Sequence, residues 1–138
     1  MRDDFPELAA AIAALAPPTL ILDGEVARFD ETLVSRDEWL RRGAPDRLAI
    51  PTLYMAFDCL YAAGRDLRWL AFQARRDRLE DALHGHYLLF PARRLAPNGL
   101  AAWAEVLERG YEGLIAKDPA SPYVGGRTRA WLKVKQPK

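Results

Sequence analysis

Near the C-terminus, WLKVKQ (Trp131 to Gln136) sets Lys133 and Lys135 two residues apart in an alternating apolar pattern. On a strand, Leu132 and Val134 then face one side, and Trp131, Lys133 and Lys135 the other. Two ammonium groups on one sheet face repel each other, so the arrangement suggests an anion between or above them. The anion-binding face extends upstream: from Ser121 onward the basic residues are Arg127, Arg129, Lys133, Lys135 and Lys138, with no acid among them. EGLIAKD (Glu112 to Asp118) places an acid at the mouth of an apolar strand and Lys117 at its far end. By the period of two, Glu112 and Lys117 point to opposite faces of an ideal strand, so the two need not share a site.

Two further segments read first as ordinary local structure. In ILDGEV (Ile21 to Val26), Asp23-Gly24 lies between apolar β-prone runs, Thr19 to Leu22 and Glu25 to Phe29, and predicts a tight hairpin that leaves Glu25 in solvent. In AFDCLYAAGRDL (Ala56 to Leu67), a strand leads into a turn around Gly64. Phe57 is a core residue on that reading.

The elements that position these residues follow from periodicity and punctuation. Asp4 and Glu7 have capping-box spacing ahead of Phe5, Leu8, Ile12 and Leu15, predicting a helix over Phe5 to Ala16 that Pro17 and Pro18 stop. Ser35 and Glu38 precede a short helix through Trp39 and Arg42, and Thr52 to Tyr61 reads as a strand. A helix from Phe72 to Leu83 ends near Gly85, and Tyr87 to Phe90 is a short strand. Asn98 or Gly99 begins a last helix with Leu100, Trp103 and Leu107 inward and Gly110 at its end. Strands Gly113 to Ala116 and Trp131 to Val134 close the chain. Strands mixed irregularly with helices favour an α+β fold in one domain.

Composition excludes several classes. The 138 residues are half hydrophobic with a net charge of +1, which suits a globular chain with a core and argues against a uniformly basic nucleic-acid binder. A single cysteine, Cys59, excludes an internal disulfide and fits a reducing compartment. His84 and His86 complete no metal site. No apolar run reaches membrane-spanning length, and MRDDFPEL is not a signal peptide, so a cytoplasmic location is expected.

Taken together and in this order, ILDGEV, AFDCLYAAGRDL, EGLIAKD and WLKVKQ resemble the later nucleotidyltransferase motifs of ATP-dependent DNA ligases. The resemblance runs from the FPEL segment to Gln136 and includes SPYVGGRTRAW; Ala71 and Ala74 stand where a proline and an acid are more usual. It implies a partial adenylation domain of α+β class, ATP as AMP donor, magnesium, and nicked double-stranded DNA in repair or recombination. It implies that Glu25 faces the nucleotide near the ribose, that Phe57 stacks on adenine, and that Glu112 helps bind the divalent metal. Lys133 and Lys135 then contact the α-phosphate and stabilise charge developing there, and Arg127 or Arg129 meets phosphate.

The resemblance has one large gap. No lysine precedes Lys117, so the family's K-x-D-G segment, whose lysine accepts AMP, is missing, as are the arginine-bearing segment after it and an oligonucleotide-binding-fold domain. Met1 falls just before the FPEL segment, which suggests a truncated reading frame or one half of a split enzyme served by an upstream fragment. The expectation is an enzyme by family that does not adenylate itself; a passive nucleotide- or DNA-binding module and an aggregation-prone gene remnant are the alternatives.

Overall fold

The apolar run after Thr52 becomes the strand to which every neighbour in the first sheet is paired. In the computed structural model, which describes residues 5–15, 19–29, 52–126 and 128–137, helix α1 (Pro6–Ala13) leads to strand β1 (Leu20–Ala27). Strand β1 lies antiparallel to β2 (Leu53–Ala62), and β2 turns through Ala63 and Gly64, both at positive φ, into the short β3 (Arg65–Asp66). Positive φ at both central residues is the geometry of a two-residue hairpin turn. Helix α2 (Phe72–Leu83) and strand β4 (Leu89–Pro91) follow, with β4 parallel to β2 on the side opposite β1. Helix α3 (Gly99–Arg109) then leads into β5 (Gly113–Lys117) and β6 (Trp131–Lys135), a separate antiparallel pair. The α+β expectation holds.

The core lies where β2 meets the helices. Ala56 and Cys59 of β2 pack with Leu8 of α1, Leu79 and Leu83 of α2, Leu89 of β4, and Leu67 and Leu88 from the connecting segments. Helix α2 is sealed to the sheet by a buried ion pair: Arg75 donates to both carboxylate oxygens of Asp58, at 2.8 and 3.0 Å, and both side chains are fully buried.

Local signals behave as their chemistry requires at α3. The Asn98 side chain accepts from the Leu100 and Ala101 amides, and Gly110, at φ 71°, ends the helix in the left-handed conformation. Its inward face is nonetheless displaced from the predicted one. Ala102 and Val106 are buried, Trp103 is half-buried, and Leu100 and Leu107 are 84% and 52% exposed. The small Ala102 and Val106 allow α3 to lie against β5, which a leucine face would hold further away. Helix α1 begins at Pro6 without a side-chain cap; Asp4 and the predicted helix through Trp39 and Arg42 lie outside the described residues.

The predicted hairpin at Asp23-Gly24 does not form. Strand β1 runs straight through this pair, with register irregularities at Ile21/Leu22 and Asp23/Gly24. Gly24 serves a close approach between strands instead of a turn, since a side chain there would collide with the Met55 carbonyl and the Tyr54 ring. Gly113 has the same role in the second sheet, where a Cβ would meet the Val134 carbonyl and the Lys135 backbone. Gly113→Ala is expected to lower the unfolding free energy by about 1–3 kcal/mol through overpacking, measured by urea titration. An unchanged midpoint would show that the two strands can separate at no loss.

Candidate functional site

The β1–β2 register leaves two residues of β2 without a partner on β1, Leu60 and the aromatic Phe57. Asp23 opposes Asp58 and Gly24 opposes Ala56, so Phe57 is the extra residue of a bulge and has no partner on β1. Bulges re-aim a side chain and occur beside functional sites. Ala56 and Asp58 on either side are buried, whereas Phe57 is half-buried. Phe57 is also absent from the partly buried apolar side chains that pack on the core, a set that includes its neighbours Leu53 and Tyr54. Glu25, on β1 opposite Met55, is exposed on the same sheet.

The second sheet supplies the charges. Pairing of Lys117 with Trp131, Ile115 with Lys133 and Gly113 with Lys135 puts all three lysines on one face of the β5–β6 ribbon. Leu132 and Val134 take the opposite face, as the alternation predicted. Glu112 precedes β5, so the strand period does not govern it. Its carboxylate lies 3.4 Å from the Lys135 ammonium, an exposed ion pair at the end of the ribbon. The main chain at Glu112 is fixed by the Gln136 amide, which donates to its carbonyl at 2.8 Å.

Lys117 received no role from the sequence pattern, yet it is the most unusual base of the ribbon. Its ammonium sits 4.8 Å from the centre of the Phe72 ring and 4.3 Å from that of Trp131. Burial pushes its amine below the ordinary lysine range, an effect that the charges of Asp58 and Asp23 partly oppose. Aromatic faces favour the cation that burial disfavours. The sequence signal that could have found it was a lysine closing the apolar EGLIAK strand.

The loop between β5 and β6 brings the two sheets together. Phe72 donates its amide to the Ser121 carbonyl at 2.8 Å, Gln73 to that of Pro119 at 2.9 Å, and Tyr123 to that of Arg68 at 2.8 Å. The Tyr123 hydroxyl donates to Asp23 at 3.3 Å, reaching β1 itself. Burial and the nearby Asp23 carboxylate raise the Tyr123 phenol above its usual range. The Trp131 indole donates to the Ser121 hydroxyl at 3.3 Å. Glu25 and Phe57 therefore stand on one sheet, Glu112, Lys133 and Lys135 on the other, and the loop sets their spacing. Arg129 is exposed beside β6; Arg127 lies outside the described residues. A shallow hollow between α1 and the turn at Gly85, His86 and Tyr87 contains none of these residues.

Among the described residues no group of three or more His, Cys, Asp or Glu side chains is arranged to hold an ion. Two exposed carboxylates flank the basic ribbon, Glu112 before β5 and Asp118 after it, and Glu112 is the one paired with Lys135. That fits a magnesium ion that keeps several waters and takes its remaining oxygens from a nucleotide, and it does not fit an all-protein cage. No described helix is long and apolar enough to cross a membrane.

Two sheets joined by a tethering loop, one carrying an aromatic bulge and the other a basic ribbon, define an α+β nucleotidyltransferase domain. The chain belongs to the ATP dependent DNA ligase domain family, whose profile matches residues 1–135. It is 35% identical over 147 residues to a DNA ligase of Haloferax volcanii, a match that covers 98% of this chain and 25% of that protein. It is 36% identical over 134 residues to the multifunctional non-homologous end joining DNA repair protein LigD of Mycobacterium tuberculosis, covering 96% of this chain and 17% of that one. The fold superimposes on the crystal structure of the M. tuberculosis LigD ligase domain with a TM-score of 0.78 and 31% identity, over 97% of this chain and 42% of the other. A mycobacterial DNA ligase D complexed with ATP and MES gives a TM-score of 0.79 at 31% identity. The chain spans a quarter or less of these two full-length relatives.

Proposed function

We propose that this chain is the distal part of an ATP-dependent DNA ligase adenylation domain and forms the base-binding and phosphate-binding walls of its nucleotide site. The observation that carries the reading is the bulge at Phe57, which gives a half-buried aromatic ring no task in the core. Phe57 stacks on adenine, and Glu25 faces the ribose. Lys133 and Lys135 bind the α-phosphate and stabilise negative charge that develops there during adenylyl transfer. Glu112 contributes to a magnesium site, partly through water, once it releases Lys135. The substrates of the assembled enzyme are ATP and nicked double-stranded DNA, in repair or recombination within the cytoplasm. A mycobacterial relative that holds ATP supports the ligand assignment.

Calorimetric titration tests this. ATP is expected to bind reversibly to the 138-residue chain, and Phe57→Ala to weaken binding by about 1–3 kcal/mol, the magnitude of base–aromatic stacking. Unchanged affinity with an intact fold would return Phe57 to a packing role.

The absence of K-x-D-G from this sequence favours passive binding as a second reading for the chain by itself. Incubation with magnesium and ATP labelled at the α-phosphate is expected to leave no labelled band after denaturing electrophoresis. A band that survives denaturation would show that one of Lys117, Lys133, Lys135 or Lys138 accepts AMP.

A further inference from the structure

We infer that Arg75 is a positioning residue that fixes the spacing between the base platform and the phosphate-binding ribbon, an inference that rests on the nucleotide-site reading above. Among the described residues the two sheets share no strand. Arg75, in the first turn of α2, touches structure on both sides of the gap with one fully buried guanidinium. On the first sheet it grips Asp58 through Nε and Nη2. Asp58 directly follows Phe57 and accepts the Cys59 amide at 2.8 Å, so the guanidinium holds β2 at the bulge itself. Towards the ribbon, Nη1 donates to the Ser121 carbonyl at 2.9 Å, and also to that of Leu70 at 2.6 Å.

Ser121 is where the tether converges. Its carbonyl accepts from both Arg75 and the Phe72 amide, and its hydroxyl accepts from Trp131, the residue that opens β6 two positions before Lys133. The guanidinium also lies 5.4 Å from the Phe72 ring centre and 5.9 Å from that of Tyr123, whose hydroxyl reaches Asp23. Only arginine presents a planar fork of donors able to take a carboxylate bidentately while a third nitrogen serves two carbonyls. A buried pair of this kind is not needed for stability alone, since apolar residues of similar volume often serve equally well. What an apolar pair lacks is the directed link from β2 to Ser121.

A role in spacing and a role in stability alone differ in which ligand feels the change. Adenosine meets the platform alone, whereas ATP must meet platform and lysines together. The test compares the two ligands by titration calorimetry on the full chain, as wild type, Arg75→Lys, and the paired Asp58→Leu/Arg75→Met. Arg75→Lys retains a cation for Asp58 but loses the fork. It is expected to weaken ATP on the order of tenfold while adenosine changes by less than about twofold, because misplacement penalises only the ligand that spans both walls. Hydrogen exchange supplies a readout independent of nucleotide: the Phe72 and Gln73 amides, bonded to the Ser121 and Pro119 carbonyls, are expected to exchange faster in Arg75→Lys.

The paired apolar variant is expected to keep its fold and its adenosine affinity without recovering the preference for ATP, and it carries the test if Arg75→Lys does not fold. Retention of the wild-type preference in whichever of the two variants folds would overturn the positioning role, as would an equal loss for both ligands. A wild-type chain that shows no preference for ATP over adenosine would instead overturn the site reading, and this inference with it.

Discussion

Arg75→Met is expected to lower the unfolding free energy by about 3–5 kcal/mol, the penalty for breaking a buried ion pair and leaving one charge uncompensated. Asp58 is fully buried, and Arg75 is the partner that takes both of its carboxylate oxygens. The methionine fills most of the arginine stem's volume but abandons the carbonyls of Leu70 and Ser121 as well as the carboxylate. For a domain whose whole stability is roughly 5–15 kcal/mol, the single change removes a large share. The paired Asp58→Leu/Arg75→Met substitution removes the charge that the single change strands. It is expected to recover most of the loss. Urea titrations with a common m-value measure both. If the single and paired variants are equally unstable, the penalty arises from lost packing or lost carbonyl contacts and not from the stranded carboxylate.

This ion pair also marks the boundary of what the chain discloses before it is folded. Strand β2, helix α2 and the β5–β6 ribbon were legible because a strand's period of two, a helix's period near four and their Gly or Asn ends are local properties. Asn98 and Gly110 fulfil their predicted capping roles for the same reason. Register is not local. The bulge at Phe57 exists only in the pairing of β1 with β2, and Arg75 meets Asp58 across 17 positions of sequence.

Misreadings have the same origin. Asp23-Gly24 carries a turn signature, yet the crowding of Met55 and Tyr54 against Gly24 gives the glycine a different task that no neighbouring residue announces. The stripe of Leu100, Trp103 and Leu107 is a valid helical face, but α3 turns its smaller residues toward β5. Lys117 went unassigned because the rings of Phe72 and Trp131 that flank it come from two other elements.

When a fragment carrying a K-x-D-G segment is supplied in trans, adenylation is expected on that fragment's lysine and not on this chain. Lys133→Ala or Lys135→Ala is expected to reduce its rate on the order of 100- to 1,000-fold, the effect of removing one directed donor from developing negative charge. The two lysines are not equivalent in the free chain. Lys135 is paired with Glu112 at 3.4 Å, and Lys133, opposite Ile115, is exposed. If Glu112 serves the metal as proposed, Glu112→Ala removes that carboxylate and also releases Lys135, so the expected result is a lower rate with a higher magnesium requirement, while ATP affinity without magnesium rises or holds. A lysine ribbon that merely faces water predicts near-wild-type rates for all three substitutions, since surface charges contribute little to anything but local potential. Rates near wild type in a complex that forms stably and adenylates would sink the assignment of the ribbon to the α-phosphate. A rate lost only in the lysine variants, with magnesium dependence untouched by Glu112→Ala, would keep the phosphate contacts and remove Glu112 from the metal.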